Sequence, residues 1–243
     1  MKEKKLFTIG ETAEFLGVSI DTLRRWDLKG KLRAVKSPGG HRYYPKEQLE
    51  SFVSDIRAIA RVWAESQTAP NLPPEQYCHT QDIFKARLDS MAIELDRESA
   101  TEDLAPLIVA VTGEVGNNSF DHNFGNWPDV SGVFFAYDIN KRLIALGDRG
   151  VGIRATLSRV RPDLKDDIMA LTTAFTERVS GRSPEQRGNG LKFVNNVATQ
   201  NPIGISLQSG TAVAEIAERN GGLRVGLADR HIRGTLTIIT YKN

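Results

Sequence analysis

The stretch EVGNNSFDHN, residues 114–123, decides how most of this chain is read. On a helix, residues four apart stand on one face, so Glu114, Asn118 and His122 line up. A carboxylate beside an amide oxygen suits a hard cation such as magnesium, held mainly by phosphates and water. The Glu114 carboxylate is also suited to orienting or deprotonating an attacking water or hydroxyl. Polar residues at this spacing are more often a solvated helix face, so the reading depends on what lies elsewhere in the chain.

Two further pieces follow in order. DRGVG, residues 148–152, comes directly after a strand-like run. Its Asp148 can accept a hydrogen bond from an exocyclic amine such as that of adenine, and Gly150 and Gly152 let backbone approach a ligand closely. RGNGL, residues 187–191, opens a helix whose inner positions are Leu191, Val194 and Val197. Gly188 and Gly190 before that helix leave free amides for a phosphate. Singly, each motif is a common turn. Their order and spacing make the signal.

In that order the three motifs resemble the GHKL superfamily of gyrase, the heat-shock chaperone, histidine kinases and MutL, over most of residues 80–243. The resemblance implies ATP or ADP with magnesium. Asn118 would bind the metal, and Glu114 would be the general base where hydrolysis occurs. Asp148 would meet the adenine amine, with Gly150 and Gly152 beside it. Gly188, Gly190 and Leu191 would lie at the phosphates, with His122 in the same nucleotide-binding set. Residues 154–187 would form a mobile lid. Residues 118–122 look closest to the bacterial anti-sigma serine kinases. Two departures stand out: Gln186 replaces a glycine of the last box, and the lid carries Arg178, Arg182 and Arg187.

Upstream, SQTAPNLPPE at residues 66–75 reads as a short stiff linker, because its three prolines cannot continue a helix. Before it come helical signals. Thr8 and Glu11 form a capping box, and Gly17 stops that helix. Ser19 caps a second helix, IDTLRRWDLK, that ends at Gly30. KSPGGHRYY at residues 36–44 reads as a hairpin. Pro45 opens a third helix with Leu49, Phe52, Val53, Ile56, Ile59 and Ala60 at helical spacing.

A tight turn between the first two helices can present the second to a major groove. Ser19, Thr22, Arg24 and Arg25 are the candidate DNA contacts on it, and His41, Arg42 and Tyr44 those of the hairpin. Arginine suits phosphate forks and guanine edges. TLRRW at residues 22–26 together with GGHRYY at residues 39–44 resembles the MerR and excisionase type of winged helix-turn-helix, over roughly 50 residues. Trp26 and His41 remain open between mini-domain core and backbone contact. The helix after the wing ends near Ser66, too short for the antiparallel coiled coil through which many MerR regulators dimerise. A homodimer is therefore expected to form through the larger domain.

The remaining periodicities predict helices at residues 81–97, 102–123, 164–176 and 191–198. Strands are expected at residues 130–139, 142–146, 203–207, 212–216, 223–227 and 235–241. The predicted fold is α+β. A small all-α winged helix-turn-helix domain at residues 1–66 and a linker at 67–76 precede a GHKL-type two-layer α/β sandwich with a mixed sheet at 77–243.

Composition bounds the rest. The 243 residues are 40% apolar and 26% charged, an ordinary soluble balance. One cysteine, Cys78, excludes an intrachain disulfide and fits a reducing compartment. Beside it, His79 lacks the partners of a zinc site. The amino end lacks a secretory pattern, and the longest apolar stretch, residues 104–111, is too short to span a bilayer. A cytoplasmic protein with no membrane contact is expected. Residues 1–66 carry 13 Lys/Arg against 9 Asp/Glu, whereas the remainder carries 19 against 21. A basic head on a mildly acidic body points the head at double-stranded DNA. His231, between Arg230 and Arg233, reads as a surface loop. The leading expectation is a DNA-binding transcriptional regulator whose larger domain senses ATP or ADP. The rival is a serine/threonine kinase or slow ATPase acting on a protein partner.

Overall fold

The computed structural model describes residues 6–16, 18–53, 55–98, 103–178, 190–218 and 221–242. The chain divides into two units, Met1–Asn71 and Leu72–Asn243. Among the described residues no helix is long and apolar enough to cross a membrane.

In the first unit the capping box at Thr8 forms as expected. The Thr8 amide and hydroxyl each donate to Glu11 Oε2 at 2.9 Å, and the Glu11 amide donates back to Thr8 Oγ1. It starts α1 (Ile9–Leu16). Ser19 then caps α2 (Ile20–Leu28), accepting from the Thr22 amide. Gly17, expected to stop α1, lies outside the described residues. The unit also holds a three-stranded antiparallel sheet, so it is not all-helical. In it β3 (Arg42–Pro45) runs between β1 (Leu6–Thr8) and β2 (Val35–Lys36). Helix α3 (Lys46–Val53) and helix α4 (Ile56–Glu65) replace the single third helix expected. Asp55 makes the break: its backbone is extended and its carboxylate accepts from the Arg57 amide at 3.0 Å, restarting the helix. Leu23, Trp26, Leu32, Tyr44 and Leu49 form the core of this unit.

The second unit is a two-layer α/β sandwich. Its seven strands are β4 (Tyr77–Cys78), β5 (Val133–Asp138), β6 (Leu143–Asp148), β7 (Ile203–Ser209), β8 (Ala212–Ile216), β9 (Arg224–Leu227) and β10 (Thr235–Tyr241), in the order β4-β5-β6-β10-β7-β8-β9. Every described pairing is antiparallel rather than mixed. The last strand, β10, inserts between β6 and β7 and runs opposite to both.

Helices α5 (Gln81–Arg97) and α6 (Ala105–Asn123) pack together, with α6 over β5, β6 and β10. Phe84, Met91 and Leu95 form the apolar stripe of α5, and the Phe84 ring lies where a side chain at Gly116 would be. Helix α8 (Asp167–Thr176) and helix α9 (Gly190–Gln200) extend the layer over β8, with α8 also against β9 and α9 against β7. A short helix, α7 (Ile153–Leu157), connects β6 to α8. Leu157, Leu164 and Ala170 make a small core of their own there. The described part of the expected lid is thus folded structure, and residues 179–189 lie outside the description.

Strand register fixes which side chains meet the helices. Phe135, Leu146, Thr237, Leu207 and Ala214 form one cross-strand row. Two residues along, the row reads Val133, Asp148, Thr235, Ser209 and Ala212. Because a strand repeats every two residues, this second row faces the same way as the first. The sheet therefore ends, under the helices, in a polar row set in an apolar surface.

Candidate functional site

Above that polar row lies a cavity of about 390 Å3. Glu114, Asn118 and His122 line it from α6, Asp148 from the end of β6, Gly152 from the next loop, and Gly190 and Leu191 from the start of α9. Residues separated by tens of positions in the chain thus share one wall system. Its volume falls in the range of small-ligand sites, about 300–1,000 Å3. Gly150 lies outside this lining and lines a neighbouring cavity instead. Gly188 lies outside the described residues.

Asp148 is 1% exposed and its carboxylate is held by donors from α6, from the loop after β6 and from β10. The Ser119 hydroxyl donates to it at 2.9 Å, the Gly150 amide at 2.8 Å and the Asn123 amide at 3.4 Å. The Thr235 hydroxyl donates to it as well. Burial pushes the Asp148 carboxyl up from its ordinary value, and the Thr235, Gly150 and Ser119 bonds oppose that rise. Asn123 ties the same loop to α6: it donates to the Ser119 carbonyl and accepts from the Val151 amide, both at 2.8 Å. Arg149, also 1% exposed, is locked by Asp129, which accepts from its Nε at 2.6 Å. The loop after β6 is therefore pinned at Arg149 and at Val151.

At the other end of the cavity the approach is close enough to demand glycine. A Cβ at Gly190 would stand 2.1 Å from Glu114 Oε1 and 2.9 Å from Asn118 Nδ2. The polar face of α6 and the backbone at the start of α9 thus form one cradle. Among the described residues no group of three His, Cys, Asp or Glu side chains could hold a metal. Glu114 and Asn118 are the oxygen-bearing side chains there that would hold a hard cation, two ligands being too few without water or a ligand to complete its shell.

Sequence reasoning missed Thr235, Ser119 and Asn123. Ser119 and Asn123 sit inside the quoted stretch, and the spacing of Ser119 one residue past Asn118 placed it on the sheet side of α6. Thr235 carries no local signal, since it meets Asp148 only because β10 pairs with β6.

In the first unit the expected DNA-facing residues separate into two groups. Arg24 and Arg25 on α2 are exposed, as is His41. Arg24 pairs with Asp21 at 2.9 Å, and Arg25 donates to Thr22 Oγ1 at 3.2 Å. Ser19 and Thr22 share the cap of α2, their hydroxyls 3.0 Å apart. Tyr44, expected at the DNA, is instead 0% exposed in the core, because β3 turns its side chain inward, and it cannot touch DNA. Arg42 is engaged too. Its Nε donates to Asp27 Oδ2 at 2.7 Å, fastening β3 to α2. The Ala34 amide, foremost, holds the Asp27 carboxyl below its ordinary value, with help from Arg42 and Lys36. Trp26 is core, packed on Phe52.

Residues 8–44 match the model of the MerR family regulatory proteins. A 69-residue segment, 28% of this chain, is 48% identical to the type II methyltransferase M.Eco47II of Escherichia coli. The chain spans 16% of that relative's length. Among solved structures, the ATP-binding domain of topoisomerase IV from Francisella tularensis is similar at a TM-score of 0.27 and 16% identity, over 54% of this chain and 61% of that one.

Proposed function

We propose that this chain is a DNA-binding regulator whose second unit binds ATP or ADP with magnesium, the nucleotide state altering DNA or partner binding. The observation that carries the nucleotide half is the convergence of Asp148, Asn118, Glu114 and Gly190 on one cavity. In this reading the Asp148 carboxylate accepts from the adenine amine, and the donors of Ser119, Asn123, Gly150 and Thr235 keep it from turning away. Asn118 and Glu114 face the phosphates across the backbone at Gly190, with magnesium neutralising phosphate charge when bound.

The DNA half rests on the match at residues 8–44 and on the exposed Arg24 and Arg25 of α2. Residues 1–66 act as the reader, residues 67–76 as the linker and residues 77–243 as the sensor. Double-stranded DNA is the partner, approached by a homodimer. Coupling requires only that ATP and ADP bind two states with different affinity.

Calorimetry with ATP and ADP, with and without magnesium, tests binding. A gel-shift titration at fixed salt, with and without Mg-ATP, tests coupling. Absence of binding to wild type, or equal binding by Asp148→Asn, defeats the nucleotide half. Unchanged DNA affinity defeats the coupling.

A second reading is favoured by Glu114, whose carboxylate lines the cavity beside Gly190. There it serves as general base for a slow ATPase or for phosphoryl transfer to a protein hydroxyl. Release of labelled phosphate by wild type and its loss in Glu114→Ala, with nucleotide binding kept, distinguishes this enzyme from a sensor.

A further inference from the structure

A second cavity, of about 320 Å3, shares Gly152 with the first. Arg154, Ser158, Asp167, His231 and Arg233 supply its polar wall. Arg154 comes from α7, whereas His231 and Arg233 come from the connection leading into β10. The charge here is lopsided. Asp167, the acid among the described lining residues, already accepts from the Thr211 amide and hydroxyl, each at 2.8 Å. Arg154 and His231 make no ion pair among the described residues. Arg233 reaches Asp129 at 3.5 Å, and Arg149 holds that same carboxylate more closely. The lining holds two guanidinium groups and an imidazole against one carboxylate, and a concave surface with that excess favours anions.

We propose that this cavity binds a small molecule bearing phosphate or carboxylate groups, and that its occupancy is coupled to the nucleotide cavity. The class follows from the donors. Two guanidinium groups and an imidazole present N–H groups suited to planar or tetrahedral oxyanions. A concave volume near the lower end of ligand-site sizes favours a small molecule over a macromolecule. The coupling follows from the shared wall. Gly152 lines both cavities with φ +80°, and a Cβ there would lie 3.1 Å from Ser209 Oγ. The next amide, that of Ile153, is tied to Ser209 Oγ at 2.9 Å. An anion that draws Arg233 away leaves Asp129 to Arg149 alone, the residue adjoining Asp148. The coupling rests on the nucleotide reading above; the anion site itself does not.

The test titrates inorganic phosphate, pyrophosphate and citrate separately into the full chain by calorimetry, then repeats each with saturating Mg-ATP. At least one anion is expected to bind wild type, and to bind Arg154→Glu and His231→Ala at least tenfold more weakly. Phosphate and citrate separate a phosphate ligand from a carboxylate one. Asn118→Ala, which alters the first cavity, is expected to leave the anion affinity in place. Equal thermal midpoints of wild type and variants show that the fold is intact. No anion binding, equal binding by Arg154→Glu, or loss in Asn118→Ala overturns the site. With the site upheld, the anion is expected to change the ATP Kd at least threefold, and ATP to change the anion Kd by the same factor. Independent affinities overturn the coupling. Absence of ATP binding with anion binding still lost in Arg154→Glu defeats the nucleotide reading and the coupling, and upholds the site.

Discussion

Thr235 stands directly opposite Asp148 across the β6–β10 pairing, and its hydroxyl donates a hydrogen bond to the Asp148 carboxylate. The two residues are 87 positions apart in the chain. With Ser119 and Asn123 above, they turn one buried carboxylate into a fixed acceptor at the floor of a cavity. That arrangement gives the first predictions.

Asp148→Asn replaces a charged acceptor with an amide and is expected to weaken adenine-nucleotide binding by about 10- to 100-fold, as losing a hydrogen bond to a charged group costs about 1.5–3 kcal/mol. Thr235→Val removes an orienting donor and is expected to weaken it only a few-fold, at about 1 kcal/mol. Calorimetry on both variants, with circular dichroism to check folding, decides this. Equal affinities across wild type and both variants contradict the assignment.

Acid is expected to weaken nucleotide binding through the same group. Burial holds the folded-state carboxyl of Asp148 above its ordinary 3.8, so the folded chain takes up this proton at a higher pH than the unfolded one. Any stability it contributes is therefore present at low pH and lost as pH rises from 3.8 through the folded value. Binding an amine donor needs the ionised form, so affinity falls as pH drops through that folded value, and protons are released on binding there. Calorimetry in two buffers of different ionisation enthalpy reads that release, which Asp148→Asn should abolish.

Gly190→Ala should raise helix propensity at the start of α9 and still harm the site. The added methyl would stand 2.1 Å from Glu114 Oε1, so α6 and α9 must separate or the carboxylate must leave. The expected result is at least tenfold weaker ATP binding with little change in adenosine binding. Unaltered ATP affinity would show that this cradle does not hold phosphates.

In the first unit, Asp27→Ala is expected to loosen the β3 strand from α2 and cost about 1.5–3 kcal/mol, the range for hydrogen bonds to charged groups. Asp27 has a lowered carboxyl, so its contribution is present above 3.8 and lost as pH falls through the depressed folded value. Arg24→Ala should instead keep stability, weaken DNA binding and reduce the salt slope by about 1. Thermal melts and salt-dependent DNA titrations separate the two behaviours.

Thr237→Val is expected to stabilise the second unit by up to about 1 kcal/mol. The Thr237 hydroxyl is fully buried and finds no partner among the described residues, and valine keeps its shape. A lower thermal midpoint would show that this hydroxyl is satisfied.

Local rules accounted for what local rules control. The i, i+4 spacing placed Glu114, Asn118 and His122 on one helix face, and α5 and β10 were predicted at their observed bounds. The Thr8–Glu11 box was legible for the same reason: both partners lie within one turn. Other outcomes depend on which distant segments meet. Tyr44 looked like a groove contact until pairing of β3 with both its neighbours turned it into the core. Arg42 looked free until Asp27, 15 residues earlier, came within 2.7 Å. Thr235 acquired its role only when the final strand entered the centre of the sheet. A residue's spacing to its near neighbours is fixed by helix and strand geometry, so the chain itself declares it. Pairing of remote strands is fixed by burial of the whole apolar face at once, and no short window of sequence contains that sum.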